Sequence, residues 1–424
     1  MLLRARIVLP ISSPPIENGA VLLSGNRVAA VRPWRELASR SGPPAVDLGP
    51  VILLPGLVNA HCHLDYTEMT GLPPQKQFPD WIKGLLALKA AASYSDYALA
   101  WLRGANMLLR TGATTVADIE AVPELLPEVW SSTPLRVFSF LEMTDVKSRR
   151  EPAGILREAA VIIRRLSRAR ADAGLSPHAP YSTSPALLRG AAALARRRRW
   201  RLAMHLAESS DEREMYLRRR GPLFDWLKHQ RDMSDCAGRS PVQQVRQYGL
   251  LGRNFLAVHA NYIDDPDIAT LAQSGSSVAH CPRSHAYFGH APFPYAKLAA
   301  AGVNVCLGTD SLASMTATRR AKPELDMFAE MRAFSAAHPQ VAPETIVRMA
   351  THNGARALGW EGRLGGIFQN ALADLIAIPF HGQAGEAWAA AAGHTGEVAA
   401  AMIDGQWVSG GVPGRLAFPR IPAG

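Results

Sequence analysis

The chain has 424 residues, a formal charge of +10, 48% hydrophobic residues and 31 prolines, which excludes a disordered polymer and leaves room for a large core. No 18-residue apolar span free of charge occurs, and the four cysteines (Cys62, Cys236, Cys281, Cys306) have no CxxC spacing, so neither a membrane protein nor a disulfide scaffold is expected. The excess charge lies in arginine clusters at 162–170, 195–201 and 216–221, within or beside alanine- and leucine-rich helical stretches. Such clusters usually form a solvated outer face, and no nucleic-acid-binding motif accompanies them, so no nucleic-acid partner is expected.

Residues 1–55 read as short strands and turns, with a Gly25-Asn26 hairpin signal. The N-terminal apolar run contains arginines and lacks a signal-peptide core, so a cytoplasmic protein with reduced cysteines is expected. From residue 56 the pattern changes to apolar β runs separated by amphipathic stretches, the mark of a parallel sheet covered by helices. Eight strand candidates follow: GLVNAHCH, ATTVADI, LRVFSFLE, AGLSPHAP, RLAMHLAE, NFLAVHAN, SSVAHCP and NVCLGTD. Eight parallel strands, stepping by about 36 residues, predict a (β/α)8 TIM barrel over 56–364. After residue 365, ADLIAIPF and VAAAMIDGQWV return to β character, so 365–424 should join 1–55 in a small β-sandwich domain.

The predicted strands carry polar groups at their C-terminal ends: His61 and His63, Asp118, Glu142, His178, His205 with Glu208, His259, His280 and Asp310. A lone His-X-His is often a solvent-facing or hydrogen-bonded core pair. Five strands ending in histidine are harder to explain by packing, because each buried imidazole needs its own partner. In a barrel all these ends meet at one mouth, where active sites sit, so a metal site is the favoured reading.

These segments resemble the amidohydrolase superfamily, in the branch of chlorohydrolases and guanine- and adenosine-type deaminases. The likeness rests on PGLVNAHCHLD, GATTVAD, SPHAPYSTS, MHLAES, LAVHANYID, VAHCPRSH, CLGTDSLAS, MATHNGARALG and ADLIAIP, in order. It implies metal ligands at His61, His63, His205 and Asp310, a donor set that suits Zn²⁺, with Fe²⁺ as the alternative. Binuclear relatives use a carboxylated lysine, typically at the end of strand four; that strand here ends in SPHAP, so one divalent metal ion is expected. The resemblance further implies that Glu208 shuttles a proton, that His259 orients the attacking water and that Asp310 shares its proton. His178, His280 and Arg283 are expected to bind substrate, with hydrogen-bond support from behind the site as the alternative for His280. Residues 280–295 are expected to form a loop that either shapes the pocket or packs as its rim.

Two positions depart from the family pattern, since His285 and Met315 stand where many relatives have asparagine. The implied activity is metal-dependent hydrolytic deamination of an amino-substituted N-heterocycle: a purine, a nucleoside-like compound such as aminofutalosine, or a pterin. The alternatives are hydrolysis of a cyclic amide, chlorohydrolase-type displacement on a ring carbon, and a non-catalytic metal-binding scaffold. The helical segment 324–334 would serve a homodimer or pack on the barrel.

Overall fold

The protein is described here by a computed structural model covering residues 1–38, 45–146, 150–166, 170–236, 238–316 and 322–410. Part of the arginine cluster at 162–170, part of the departing stretch after Met315 and residues 411–424 of the expected terminal unit lie outside the described residues. Two eight-stranded sheets organise what is described.

The first sheet is built from both ends of the chain. Strands β1 (Leu2–Val8), β2 (Ile16–Ser24), β3 (Arg27–Pro33), β4 (Ala45–Asp47) and β5 (Val51–Pro55) come from the N-terminal segment. The barrel strands are β6 (Leu57–Cys62), β7 (Ala113–Glu120), β8 (Arg136–Met143), β9 (Asp172–Pro177), β10 (Leu202–Leu206), β11 (Phe255–His259), β12 (Ser277–His280) and β13 (Asn304–Leu307). Then β14 (Leu375–Pro379), β15 (Ala400–Ile403) and β16 (Gln406–Gly410) return to the first sheet, where β14 pairs antiparallel with β5. The terminal strands thus form one hydrogen-bonded sheet in the order β16-β15-β14-β5-β1-β2-β3, with β4 on β1. Asp404 and Gly405, both at positive φ, make the tight turn between β15 and β16 that a right-twisted hairpin favours.

Every neighbouring pair from β6 to β13 is parallel. The ring closes where Cys62 bridges Asp310 and the Asp310 N–H donates to the His61 carbonyl at 3.1 Å. Asn59 reinforces that seam: its Oδ1 accepts the Thr309 N–H at 3.0 Å, and its Nδ2 donates to the Thr309 hydroxyl at 2.8 Å. Toward the N-terminal ends of the strands the interior is filled by Val58, Ile119, Phe138, Phe140, Leu256 and Val258, packed with Ala355, Leu358 and Leu364 from the chain that follows. With apolar side chains packed there, the polar strand ends gather at the opposite mouth.

The helix Met327–Ala337 buries Met327, Phe328, Met331 and Phe334 within the chain. Its apolar face is therefore covered within its own chain. The basic clusters cap exposed helix ends, with Arg196, Arg197 and Arg198 in the last turn of Pro185–Arg198, where cations are favourable. No described helix is long and apolar enough to cross a membrane.

Candidate active site

His61, His63, His205, His259 and Asp310 converge at the mouth. The Nε2 atoms of His63 and His205 lie 3.1 Å apart, and Asp310 Oδ1 lies 3.5 Å from His61 Nε2 and 3.8 Å from His63 Nε2. Donor atoms of His61, His63 and His205, and likewise of His61, His259 and Asp310, all lie within 4.8 Å of one another. Neither ring nitrogen of His61 has a hydrogen-bond partner, nor does His259 Nε2, although all are buried. Orphaned polar atoms in such a place are costly unless a cation engages them.

The tautomers suit that engagement. His205 Nδ1 lies 3.0 Å from the backbone carbonyl of His178, which can only accept. Its proton is therefore on Nδ1, and the Nε2 lone pair faces the cluster. Burial, with His61 as a like charge beside it, lowers His63 to about 3, and burial lowers His259 to about 3, so both rings are neutral at pH 7. Burial alone would raise Asp310, yet His61, His259 and His63 hold it well below the usual carboxylate range. Its other oxygen accepts from Ser284 (2.7 Å) and Ser314 (3.0 Å). Three imidazoles and a carboxylate form a donor set that fits a divalent metal ion.

Backbone strain is concentrated here. Ala207, His259, Ala260 and Asp310 all have φ between 50° and 72°, a region that costs an L-residue about 1–2 kcal/mol and persists only where the surroundings enforce it. Enforcement is visible at Gly308, where an added Cβ would stand 2.8 Å from His61 Cβ and from its carbonyl oxygen. Gly308→Ala is expected to push β6 off β13 and weaken metal binding by about 10–100-fold, measured by competition with a chelating dye. An unchanged affinity would mean that the seam yields without moving His61.

Glu208 follows β10 and points its carboxylate toward His259, with Oε1 3.6 Å from Nε2. Burial, then Asp310 and Glu212, raise its pKa well above the ordinary glutamate value, so it holds a proton more tightly than an exposed carboxyl. Next to it opens a cavity of about 300 Å³, into which Glu208, His259, His178, His205, His63 and Asp310 project. Its far wall is apolar and aromatic. Phe78, Trp81, Ile82, Leu85 and Leu86, all from the helix Phe78–Ala91, line it with Trp226 and Leu227. The spacing of three and four residues puts one whole helix face over the mouth.

Not every expected residue is found there. Arg283 and His280, expected to contact substrate, are not among the residues that line this cavity. Arg283 lies in the short helix Pro282–Phe288, which turns its guanidinium away to pair with the fully buried Glu330 and to donate to the Glu324 carbonyl. His280 is stacked on Phe293, ring centroids 3.8 Å apart, behind the site. Within the segment expected as a loop, 282–288 form that helix and 289–294 stay irregular; Phe288 packs edge-on against Phe78 and Trp81. It supports the cavity wall from outside.

Other contributors had no assigned role in the sequence. Lys89 and Glu142 face the cavity as an ion pair 3.6 Å apart, and Lys89 also donates to the Tyr66 hydroxyl. Burial alone would raise Glu142, but Lys89, His178 and His63 bring it down to about 2. Asp118 accepts from the Leu64 N–H at 2.9 Å and from Trp101 Nε1 at 3.0 Å, so it fixes the turn just after His63. Its position at a strand end was the one signal for it.

A sequence profile of the Amidohydrolase family matches residues 52–408. The chain belongs to the amidohydrolase family. As an amidohydrolase it is a hydrolase acting on carbon–nitrogen bonds other than peptide bonds. It is 32% identical over 380 residues to a 5-methylthioadenosine/S-adenosylhomocysteine deaminase of Syntrophobacter fumaroxidans, covering 86% of this chain and 80% of that protein. It is 30% identical to a 5'-deoxyadenosine deaminase of Methanothermobacter thermautotrophicus, covering 86% and 81%. Among solved structures, the aminofutalosine deaminase of Helicobacter pylori in complex with methylthio-coformycin superposes with a TM-score of 0.84 at 21% identity, covering 96% of this chain and all of that one. A zinc-bound adenosine deaminase from Xanthomonas campestris gives 0.82 at 24% identity, covering 97% and 93%. The two solved structures establish a shared fold for this amidohydrolase.

Proposed function

We propose that this amidohydrolase binds one zinc ion through His61, His63, His205 and Asp310 and deaminates the adenine ring of an adenosine-like nucleoside, releasing ammonia. One observation carries the reading: a buried carboxyl, Glu208, stands beside a histidine-rich donor set at the edge of an aromatic cavity. Curated relatives act on adenosine derivatives that differ at the 5' end, which fits a polar reacting end facing an apolar wall.

His61, His63, His205 and Asp310 would hold the divalent ion, which would supply Lewis acidity beside the reacting carbon. Glu208 accepts a proton from the attacking water and returns it to the neighbouring ring nitrogen, as a carboxyl with a raised pKa is suited to do. His259, kept neutral by burial, orients the water toward the ring carbon. Asp310 takes the second proton and passes it to the departing amine, so that water and the amino substrate yield an oxo product and ammonia. Trp81 and Trp226 are among the aromatic side chains lining the cavity in which a purine would sit. Four buried, unpaired cysteines fit the reducing cytoplasm as the location.

The test is ammonia release by zinc-loaded protein from 5'-methylthioadenosine, S-adenosylhomocysteine, 5'-deoxyadenosine, adenosine and aminofutalosine, with pterins and cyclic amides alongside. Release from one or more nucleosides is the expected result. Ring opening of a cyclic amide without ammonia from any nucleoside would overturn it.

A further inference from the structure

The backbone of Glu208 is gripped from both sides by side chains to which the chemistry above assigns no part. Its N–H donates to Glu212 Oε2 at 2.9 Å, and its carbonyl accepts from Asn261 Nδ2 at 3.0 Å. Glu212 and Asn261 are buried, and neither lines the cavity. They come from different places: Glu212 from the first turn of the helix after β10, Asn261 from the segment that leaves β11. The grip is needed because Glu208 follows Ala207, whose φ of 50° is strained, and its partner strand ends in the equally strained His259 and Ala260. A peptide in that state relaxes unless neighbours hold it.

A third residue aims the grip. Asn261 Oδ1 lies 3.1 Å from His285 Nδ1, and since an amide oxygen only accepts, the imidazole nitrogen is the donor. With Oδ1 turned to His285, the Nδ2 hydrogens must face the Glu208 carbonyl.

We propose that Glu212 and Asn261, the latter aimed by His285, are positioning residues that hold the Glu208 carboxyl in register with the reacting atoms. The inference rests on Glu208 as the proton carrier, and its consequences separate from that reading. Asn261→Asp keeps the shape and still accepts from His285, but turns an oxygen toward the Glu208 carbonyl. Glu212→Ala removes the acceptor, whereas Glu212→Gln keeps a carbonyl oxygen for the same N–H.

Asn261→Asp and Glu212→Ala are expected to lower kcat by about 10²-fold, the cost of a misplaced catalytic group, with KM near its wild-type value because neither residue touches substrate. Glu212→Gln is expected to recover most of that loss. Hydrogen exchange at the Ala207 and Glu208 amides, read without substrate, should quicken in Asn261→Asp and Glu212→Ala and stay slow in Glu212→Gln. Melting curves separate this local loosening from global instability. Wild-type kcat in both damaging variants, or equal losses in Glu212→Ala and Glu212→Gln, would overturn the proposal. Should no nucleoside release ammonia, the deaminase reading fails, and amide exchange alone decides the grip: unchanged rates overturn it, quickened rates sustain it.

Discussion

Glu208→Gln is expected to reduce ammonia release by about 10²–10⁴-fold while leaving the bound metal unchanged. The substitution keeps size and hydrogen-bonding capacity but cannot carry a proton between water and ring. Metal content should survive because the Glu208 carboxylate belongs to neither of the close donor groups, His61 with His63 and His205, or His61 with His259 and Asp310. Steady-state rates paired with elemental analysis give the answer. Full activity in the variant would shift the proton to His259 or Asp310 and remove Glu208 from the mechanism. Lost activity accompanied by lost metal would make it a structural residue of the donor set.

Removing the guanidinium of Arg136 should cost about 3–5 kcal/mol of folding stability, the range for stranding a buried charge. Arg136 opens β8, and its side chain is 5% exposed. It donates through Nε to Asp374 Oδ2 at 2.9 Å and through Nη2 to Asp374 Oδ1 at 3.1 Å, and Nη2 also reaches Asp404 at 2.8 Å. Asp374 stands just before β14 and Asp404 in the turn after β15, so one side chain fastens the barrel to the sheet made from the chain's two ends. Arg136→Leu leaves the Asp374 carboxylate, itself 2% exposed, without its counterion. Urea unfolding should show the loss, and Arg136→Leu with Asp374→Asn should regain part of it because no charge is left buried. A loss below about 1 kcal/mol in the single variant would class the pair with exposed ion pairs, which contribute little.

The parts of the site legible in the sequence are those that the barrel itself brings together. Polar residues at regularly spaced strand ends meet at one mouth whatever covers the outside, so His61, His63, His205, Glu208, His259 and Asp310 could be named before their distances were known. Residues delivered by helices could not. Trp81 and Lys89 lie in a stretch whose periodicity shows an amphipathic helix but not which way its apolar face turns. Here that face covers a cavity instead of the core. Arg283 shows a related effect: close to His280 in sequence, it is carried by a helix toward Glu330, 47 residues further on. The Asn59–Thr309 clasp spans 250 residues and leaves no local trace. Asn261 and Glu212 were hidden because a side chain that binds backbone has no sequence pattern of its own.

The wall of the cavity supplied by Phe78–Ala91 has a bearing on how such a protein changes over time. That helix contributes no barrel strand and no member of the donor set, yet six of its side chains confront whatever enters. Chemistry and selectivity are therefore written in separate stretches of the gene. Mutations at Phe78, Trp81, Ile82, Leu85 and Leu86 can retune what is admitted without touching the donor set, which makes this short segment the natural place for a laboratory library, and for natural drift, to seek new substrates.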